Sequence, residues 1–395
     1  MKPGRNARLR SLRPFLNTPA QHEVEIAQRP LSASPWKREP TPGEVTLLWA
    51  IAALIFFSTI ASFRPYSQFI RNFGDTPSYM QIADAIRSWD FSGVQVKQFW
   101  GVSYATAALS RVTGLSSAPS LILICCITSL AALLLAHRLW GGWIALLALV
   151  PNFDWWQRSF LGGSEPLFVA LLFGSFLAIR KQRWLWGALL ASLATITRPL
   201  GVFLLLGIGV ALWLRRDWRN LAWAVGIGFS VGLLYMLPLR LYLHDPLATV
   251  HSYGVMQQTP YPFLFGIPFR AIIVGTLRYP APLSNLLLTF GWIFLVLAGN
   301  IAMLTTREFR AYAKEHLPEA VFAALYLLSL YSYNLPSFAR GTFPRFAIPI
   351  LPFVFLALSR WLPKDRRLLW CLTIVSSALA AFSAIGLQNV LPAIR

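Results

Sequence analysis

The stretch SSAPSLILICCITSLAALLLAH, residues 116–137, holds no Asp, Glu, Lys or Arg in 22 positions. As a helix rising ~1.5 Å per residue it reaches about 33 Å, enough to cross the ~30 Å hydrocarbon core of a bilayer. One comparable apolar run precedes it at 44–63. Nine more follow at 142–157, 164–180, 184–197, 199–214, 219–243, 284–304, 318–334, 344–361 and 367–390. Eleven such runs predict an all-α, polytopic helical membrane protein with about eleven transmembrane helices. The runs 184–197 and 199–214 are short and meet at Arg198-Pro199. They read either as two crossings or as a broken, re-entrant pair.

Composition points the same way. Of 395 residues, 56% are hydrophobic and 13% charged, with only 15 acidic side chains. A water-soluble domain carries about 25% charge to cover its surface. The net charge of +20 is not a nucleic-acid signature here, because no zinc-finger or RNA-binding motif accompanies it. In a membrane protein, Lys and Arg mark cytoplasmic loops facing anionic lipid. Cys125, Cys126 and Cys371 lie in apolar runs and read as small core residues.

Residues 1–43 carry eight Lys/Arg and no apolar periodicity, and are expected to form a disordered basic cytoplasmic tail. Residues 44–395 form the transmembrane domain. If the tail is inside, alternation also places inside Arg138, Arg180-Lys181-Arg183, Arg215-Arg216-Arg219, Arg307-Arg310-Lys314 and Arg360-Lys364-Arg366-Arg367. Together these make 22 of the 35 basic residues. The long external segments are then 64–115 and 244–283. Asp75, Asp84, Asp90, Asp154, Glu165 and Asp245 map to that face, so function is sought there.

Four constellations on that face could carry chemistry. Gly74-Asp75-Thr76-Pro77-Ser78-Tyr79 opens an amphipathic stretch, Thr76 to Trp89, with Tyr79, Ile82, Ala83 and Ile86 at helical spacing. Asp75 reads as an N-cap or as a general base toward an acceptor hydroxyl; Tyr79 is a candidate acceptor or lipid contact. Asp154 and Glu165 are carboxylates at helix ends, where burial is costly; favourable charge at a helix N-terminus is the plainer reading of Glu165. Arg198 sits between two apolar runs, either snorkelling to the interface or gripping phosphate with its planar fork. Arg340 and Arg345 flank Gly341-Thr342-Phe343-Pro344 at the mouth of a proline-rich span.

The order Gly-Asp-x-x-x-Tyr (74–79), Ser-Glu-Pro-Leu-Phe (164–168), Thr-Arg-Pro-Leu-Gly (197–201) and Pro-Arg-Phe-x-x-Pro (344–349) resembles the GT-C class of integral-membrane glycosyltransferases. The likeness is to the GPI-mannosyltransferase-like branch and its bacterial relatives, over roughly 45–361. That resemblance implies a polyprenyl-phosphate sugar donor and inverting transfer of a hexose or pentose to a hydroxyl of a lipid, glycan or protein acceptor. It implies Asp75 as the catalytic residue, Glu165 as the family's helix-start glutamate, and Arg198 and Arg345 as its basic positions. Beside it, the residues themselves offer Asp154 with Glu165 as supporting acids and Arg340 with Arg198 and Arg345 as donor-phosphate ligands. The protein is expected in a bacterial inner membrane with its N-terminus in the cytoplasm. The residues name no cofactor; with no Asp-x-Asp in the first outer segment, dependence on a divalent metal is left open. The alternatives are a transporter or flippase of a lipid-linked sugar or similar anion, and a non-catalytic scaffold. No internal repeat of the kind common in transporters is evident.

The charge asymmetry predicts an internal N-terminus and an external C-terminus after eleven crossings. Reporter fusions at residues 40 and 392 should report opposite sides; the same side from both would remove one crossing.

Overall fold

The computed structural model describes residues 37–94, 98–256, 265–278 and 283–390. The basic tail is therefore almost entirely outside the described residues. From Glu39 onward the chain forms one compact unit. Among the described residues there is no β-strand, only an isolated bridge between Phe265 and Tyr333.

The helices are, in order, α1 (Pro42–Ala61), α2 (Tyr66–Asn72), α3 (Thr76–Ser88), α4 (Gly101–Thr113), α5 (Ser117–Trp140), α6 (Gly142–Leu149), α7 (Phe153–Leu161) and α8 (Glu165–Arg180). They continue with α9 (Trp184–Thr197), α10 (Val202–Leu214), α11 (Trp218–Leu243), α12 (Ala248–Met256), α13 (Arg270–Arg278), α14 (Leu283–Thr305), α15 (Arg307–Glu315) and α16 (Leu317–Ser332). The last are α17 (Pro336–Gly341), α18 (Phe343–Ala347), α19 (Leu351–Ala357) and α20 (Arg366–Val390). This is a multi-pass integral membrane protein. Its outward surface carries Leu54, Phe229, Leu234, Phe294, Leu304 and Phe382, each more than half exposed. Water would penalise such a surface, and a bilayer accommodates it.

Among the described residues, five helices are long and apolar enough to cross: α1, α5, α11, α14 and α20. The pair α7 and α8, bent by 105°, makes a sixth if taken as one broken span. That is fewer uninterrupted spans than the eleven expected. The run 142–157 is the clearest departure. It splits into α6 and α7 around Val150-Pro151-Asn152, because Pro151 supplies no N–H to continue the helix and the Asn152 side chain restarts it by accepting from Asp154 N at 3.0 Å. The run 344–361 likewise divides into α18, a short 3-10 turn and α19, with prolines at 344, 349 and 352. The segment 184–214 is a hairpin. Its two ends meet where Arg215 donates to Gln182 at 3.1 Å, and its turn is Arg198-Pro199-Leu200-Gly201. Cys125 is buried as expected, whereas Cys371 on α20 faces outward.

Ion pairs sort the helix ends. At one end, Glu319 at the start of α16 takes a two-pronged grip from Arg180 (2.7 and 2.8 Å). Arg180 also donates to the Leu139 carbonyl at 2.7 Å and to the Tyr312 hydroxyl at 2.9 Å. At the starts of α1 and α20, Arg366 pairs with Glu44 at 2.9 Å, and Gly142 N donates to Glu39 at 2.7 Å. Arg180, Arg215 and Arg366, from three of the basic groups expected inside, make contacts at this end. Helix α8 runs from it to the opposite end, where Glu165 begins the helix; at ~1.5 Å per residue the two ends of α8 are about 22 Å apart.

At that second end, α3 and α4 form a layer over the spans. Gly101 at the start of α4 touches the last residue of α9: a Cβ there would lie 2.2 Å from Thr197 Oγ1 and 2.6 Å from Thr197 Cα. Gly101→Ala should therefore push α4 off α9 and lower stability by about 1–3 kcal/mol. Gly232→Ala on α11, where nothing lies within 4 Å of the new methyl, should leave stability unchanged or raise it by up to ~1 kcal/mol. Thermal unfolding in detergent compares them, and equal midpoints would show that the α4–α9 contact is dispensable.

Candidate active site

Asp75 occupies the N-cap position of α3 yet makes no capping bond. The preceding Gly74 has φ +48°, a left-handed conformation that glycine adopts without a Cβ penalty. Thr76 is buried, and its hydroxyl donates to the Leu161 carbonyl at 3.0 Å, with the Gly162 carbonyl 3.1 Å away. This pins the start of α3 to the end of α7 and turns the Asp75 carboxylate inward. There Oδ2 accepts from Arg345 Nη2 at 2.8 Å, and Oδ1 accepts from Gln98 Nε2 at 3.0 Å. Burial alone would raise the Asp75 pKa. The Arg345 and Arg158 guanidiniums outweigh burial and hold the carboxyl below its ordinary value, so it is ionised at neutral pH.

Glu165, the first residue of α8, is 1% exposed. Its Oε1 accepts from both Arg198 Nη1 and Arg345 Nε, while Oε2 has no hydrogen-bond partner. Arg198 reaches it because Pro199 disfavours the helical region at the preceding residue. Arg198 is accordingly extended, at φ −148° and ψ 131°, and ends α9. Its side chain is 13% exposed and lies 5.5 Å from the Phe346 ring, so it pairs inside the protein and does not snorkel. Arg345 bridges Asp75 and Glu165, and thereby joins the outer layer to the spans. Asn152 donates to the Pro344 carbonyl at 2.9 Å, fixing α18 against the start of α7.

The sequence motifs thus bring Asp75, Glu165, Arg198 and Arg345 into one cluster. The other expected residues stand differently. Asp154 lies within the electrostatic reach of Arg158 and Arg345 but has no ion-pair partner among the described residues. Arg340 is buried on α17 near Gly275 and shares no ion pair with the cluster among the described residues. Tyr79, expected as an acceptor or lipid contact, is 3% exposed and packs on Val102, Leu121 and Cys125, so it offers no ring surface to lipid here. Asp84 is held by Arg87 (3.6 Å) and Ser117 (2.5 Å), and Asp90 by Ser92 (2.6 Å). No group of three His, Cys, Asp or Glu that could hold a metal ion occurs among the described residues.

Two residues of the site were not singled out from sequence. Gln98 carries no motif. Arg158 lies on α7 one turn from Asp154, an i, i+4 acid–base pair in an otherwise aromatic helix, and that spacing was the available signal. Its guanidinium sits 4.6 Å over the Phe73 ring.

Because Glu165 alone holds two buried arginines, Glu165→Gln should cost about 3–5 kcal/mol, the range for breaking a buried pair. Asp75→Asn should cost less, since Arg345 keeps Glu165. Thermal midpoints of the two variants test the order, and a Glu165→Gln protein as stable as wild type would remove the pivot.

No protein-family model matches the sequence, and no curated protein matches it. Among solved structures, the chain is similar to ArnT from Cupriavidus metallidurans bound to undecaprenyl phosphate, with a TM-score of 0.48 and 17% identity, over 84% of this chain and 62% of that one. It is also similar to the apo oligosaccharyltransferase of Archaeoglobus fulgidus, with a TM-score of 0.44 and 15% identity, over 85% of this chain and 56% of that one. The apo form of the same ArnT gives a TM-score of 0.42 at 16% identity, over 80% and 60%. The chain thus spans about three fifths of the length of the proteins it resembles.

Proposed function

We propose that this protein is a membrane glycosyltransferase that moves a sugar from a polyprenyl-phosphate donor to an acceptor hydroxyl on the external face. The observation that carries the reading is the Asp75 carboxylate. It stands at a helix start without capping it, is held in place by Arg345 and Gln98, and is kept ionised by the Arg345 and Arg158 guanidiniums beside a buried carboxylate. An ionised carboxylate kept in place by a guanidinium is suited to accept a proton from a hydroxyl. Guanidiniums nearby suit a phosphate that gathers negative charge as it leaves. In the transfer, the acceptor oxygen bonds to the anomeric carbon as the bond from that carbon to the phosphate oxygen breaks. The hydroxyl proton goes to Asp75, and the electron pair leaves with the lipid phosphate. One displacement inverts the anomeric configuration.

The reading takes up the GT-C resemblance of the four motifs, with the external face being the end of the bundle that bears Asp75 and Glu165. The sugar is a hexose or pentose. The acceptor is a lipid, glycan or protein hydroxyl, and the setting is a bacterial inner membrane with the basic tail in the cytoplasm. A flippase would need the same arginines without a base, and Asp75 is what favours chemistry over transport.

The test is to reconstitute the full chain and offer a panel of radiolabelled polyprenyl-phosphate sugars. Consumption of one donor is expected. Asp75→Asn should bind undecaprenyl phosphate normally and turn over at least ~100-fold more slowly, the scale of lost general-base catalysis. Asp84→Asn and Asp90→Asn should remain active. Wild-type turnover in Asp75→Asn, or movement of intact lipid-linked sugar across the bilayer without consumption, would overturn the reading.

A further inference from the structure

We infer that Arg158, rather than Arg198 or Arg345, is the primary anchor for the phosphate of the ligand. The inference rests on the glycosyltransferase reading and adds to it the residue that receives the anion. Of the three guanidiniums in the cluster, two already have carboxylate partners: Arg198 holds Glu165, and Arg345 holds both Glu165 and Asp75. Arg158 makes no ion pair among the described residues. It is 8% exposed, and its Nε and Nη1 have no hydrogen-bond partner. A buried cation without an acceptor is costly, and such a group at a candidate site calls for an anion.

Two glycines, Gly74 and Gly163, pack against its side chain. Gly74 lies over the guanidinium, and a Cβ there would sit 3.1 Å from Arg158 Nη1. Arg158 faces the charges of Arg345, Glu165, Asp75 and Asp154, so an anion on it would lie among the residues already brought together. The other unpartnered atom of the cluster has the opposite sign. Glu165 Oε2 lacks a donor, and a Cβ on Gly163 would lie 2.7 Å from both that oxygen and Arg158 Cδ. Two neighbouring orphans, one a donor and one an acceptor, match a ligand that carries an anion and a hydroxyl close together. A sugar phosphate ester is such a ligand. Arg340 also has unpartnered nitrogens, but no recorded contact joins it to these carboxylates.

A phosphate anchor held ready at a cost to the empty protein has a signature that a structural arginine lacks. Replacing it with an apolar side chain of similar length should remove binding while costing the ligand-free protein less than breaking the buried pairs of Glu165 does. The experiment uses the full chain in detergent. Undecaprenyl phosphate and inorganic phosphate are titrated separately, with binding read by native mass spectrometry and thermal midpoints recorded with and without each. Arg158→Met should weaken undecaprenyl phosphate binding by about tenfold or more, the scale of a lost charge-assisted hydrogen bond. Its empty midpoint should stay well above that of Glu165→Gln. Arg158→Lys keeps the charge, loses the fork and should fall between the two.

Binding of both probes would place recognition in the phosphate alone. Binding of the lipid only would add the prenyl chain, with Arg158 still the anchor. The inference is overturned if Arg158→Met binds undecaprenyl phosphate within about twofold of wild type, or if its empty midpoint drops as far as that of Glu165→Gln. Asp75→Asn separates this from the functional reading. If it turns over normally while Arg158→Met fails to bind, the assignment of the base is wrong and the anchor stands. If Asp75→Asn is inactive and Arg158→Met binds, the reverse holds.

Discussion

One carboxylate oxygen, Glu165 Oε1, is shared by two buried arginines that arrive from distant parts of the chain. Arg198 comes from the turn of the 184–214 hairpin, and Arg345 from the short helix α18. Because Arg345 also grips Asp75, that oxygen ties three stretches of the membrane domain to the outer layer. A charge buried in this way requires its counter-charges. The break at Arg198-Pro199 and the proline-rich start of α18 bring those charges to it, and the inward turn of Asp75 gives Arg345 its second carboxylate.

Helix α8 makes this arrangement rigid. Packed between α5 and α9, it carries Glu165 at one end and Arg180 at the other, and each end is locked by ion pairs to a different part of the bundle. The Arg180–Glu319 pair is two-pronged and backed by the Tyr312 hydroxyl. It fixes the far end of α8 against α16 without entering the candidate site. The aromatic side chains Phe168, Phe173 and Phe176, all fully buried, fill the length between. A rod clamped at both ends places its first residue reproducibly, which is what a site built on that residue requires.

Much of this was legible in the sequence. The apolar runs announced the helices. Asp75, Glu165, Arg198 and Arg345 each stood in a short polar motif within or beside apolar surroundings, where a charge needs a reason. The partners of those charges were not legible. Pairing across 180 or 270 residues, as between Arg345 and Glu165 or Asp75, leaves no local pattern. Neither was the division of 142–157 by Pro151, since a proline in an apolar run is compatible with a kinked span as well as with a break. Arg158 was hidden for a related reason. It lies amid Trp155, Trp156 and Phe160, in a stretch that looked like a connecting turn, and only the fold shows that its guanidinium has no local acceptor. The burial of Tyr79 was not legible either, because helical spacing gives a face but not which face is covered. In the structure α4 and α5 close over it.

The hydroxyl of Thr76 does more than fix a loop. The last carbonyls of α7 have no partner within their own helix, and Thr76 supplies one from the first residue of α3. A single side chain therefore closes one helix and opens another, and the two are mechanically one body. A motion that pivots at this seam would bare those carbonyls. The pair α3 and α7 is therefore the fixed wall of the charged cluster, and freedom to move is left to the elements that no such bond stitches together.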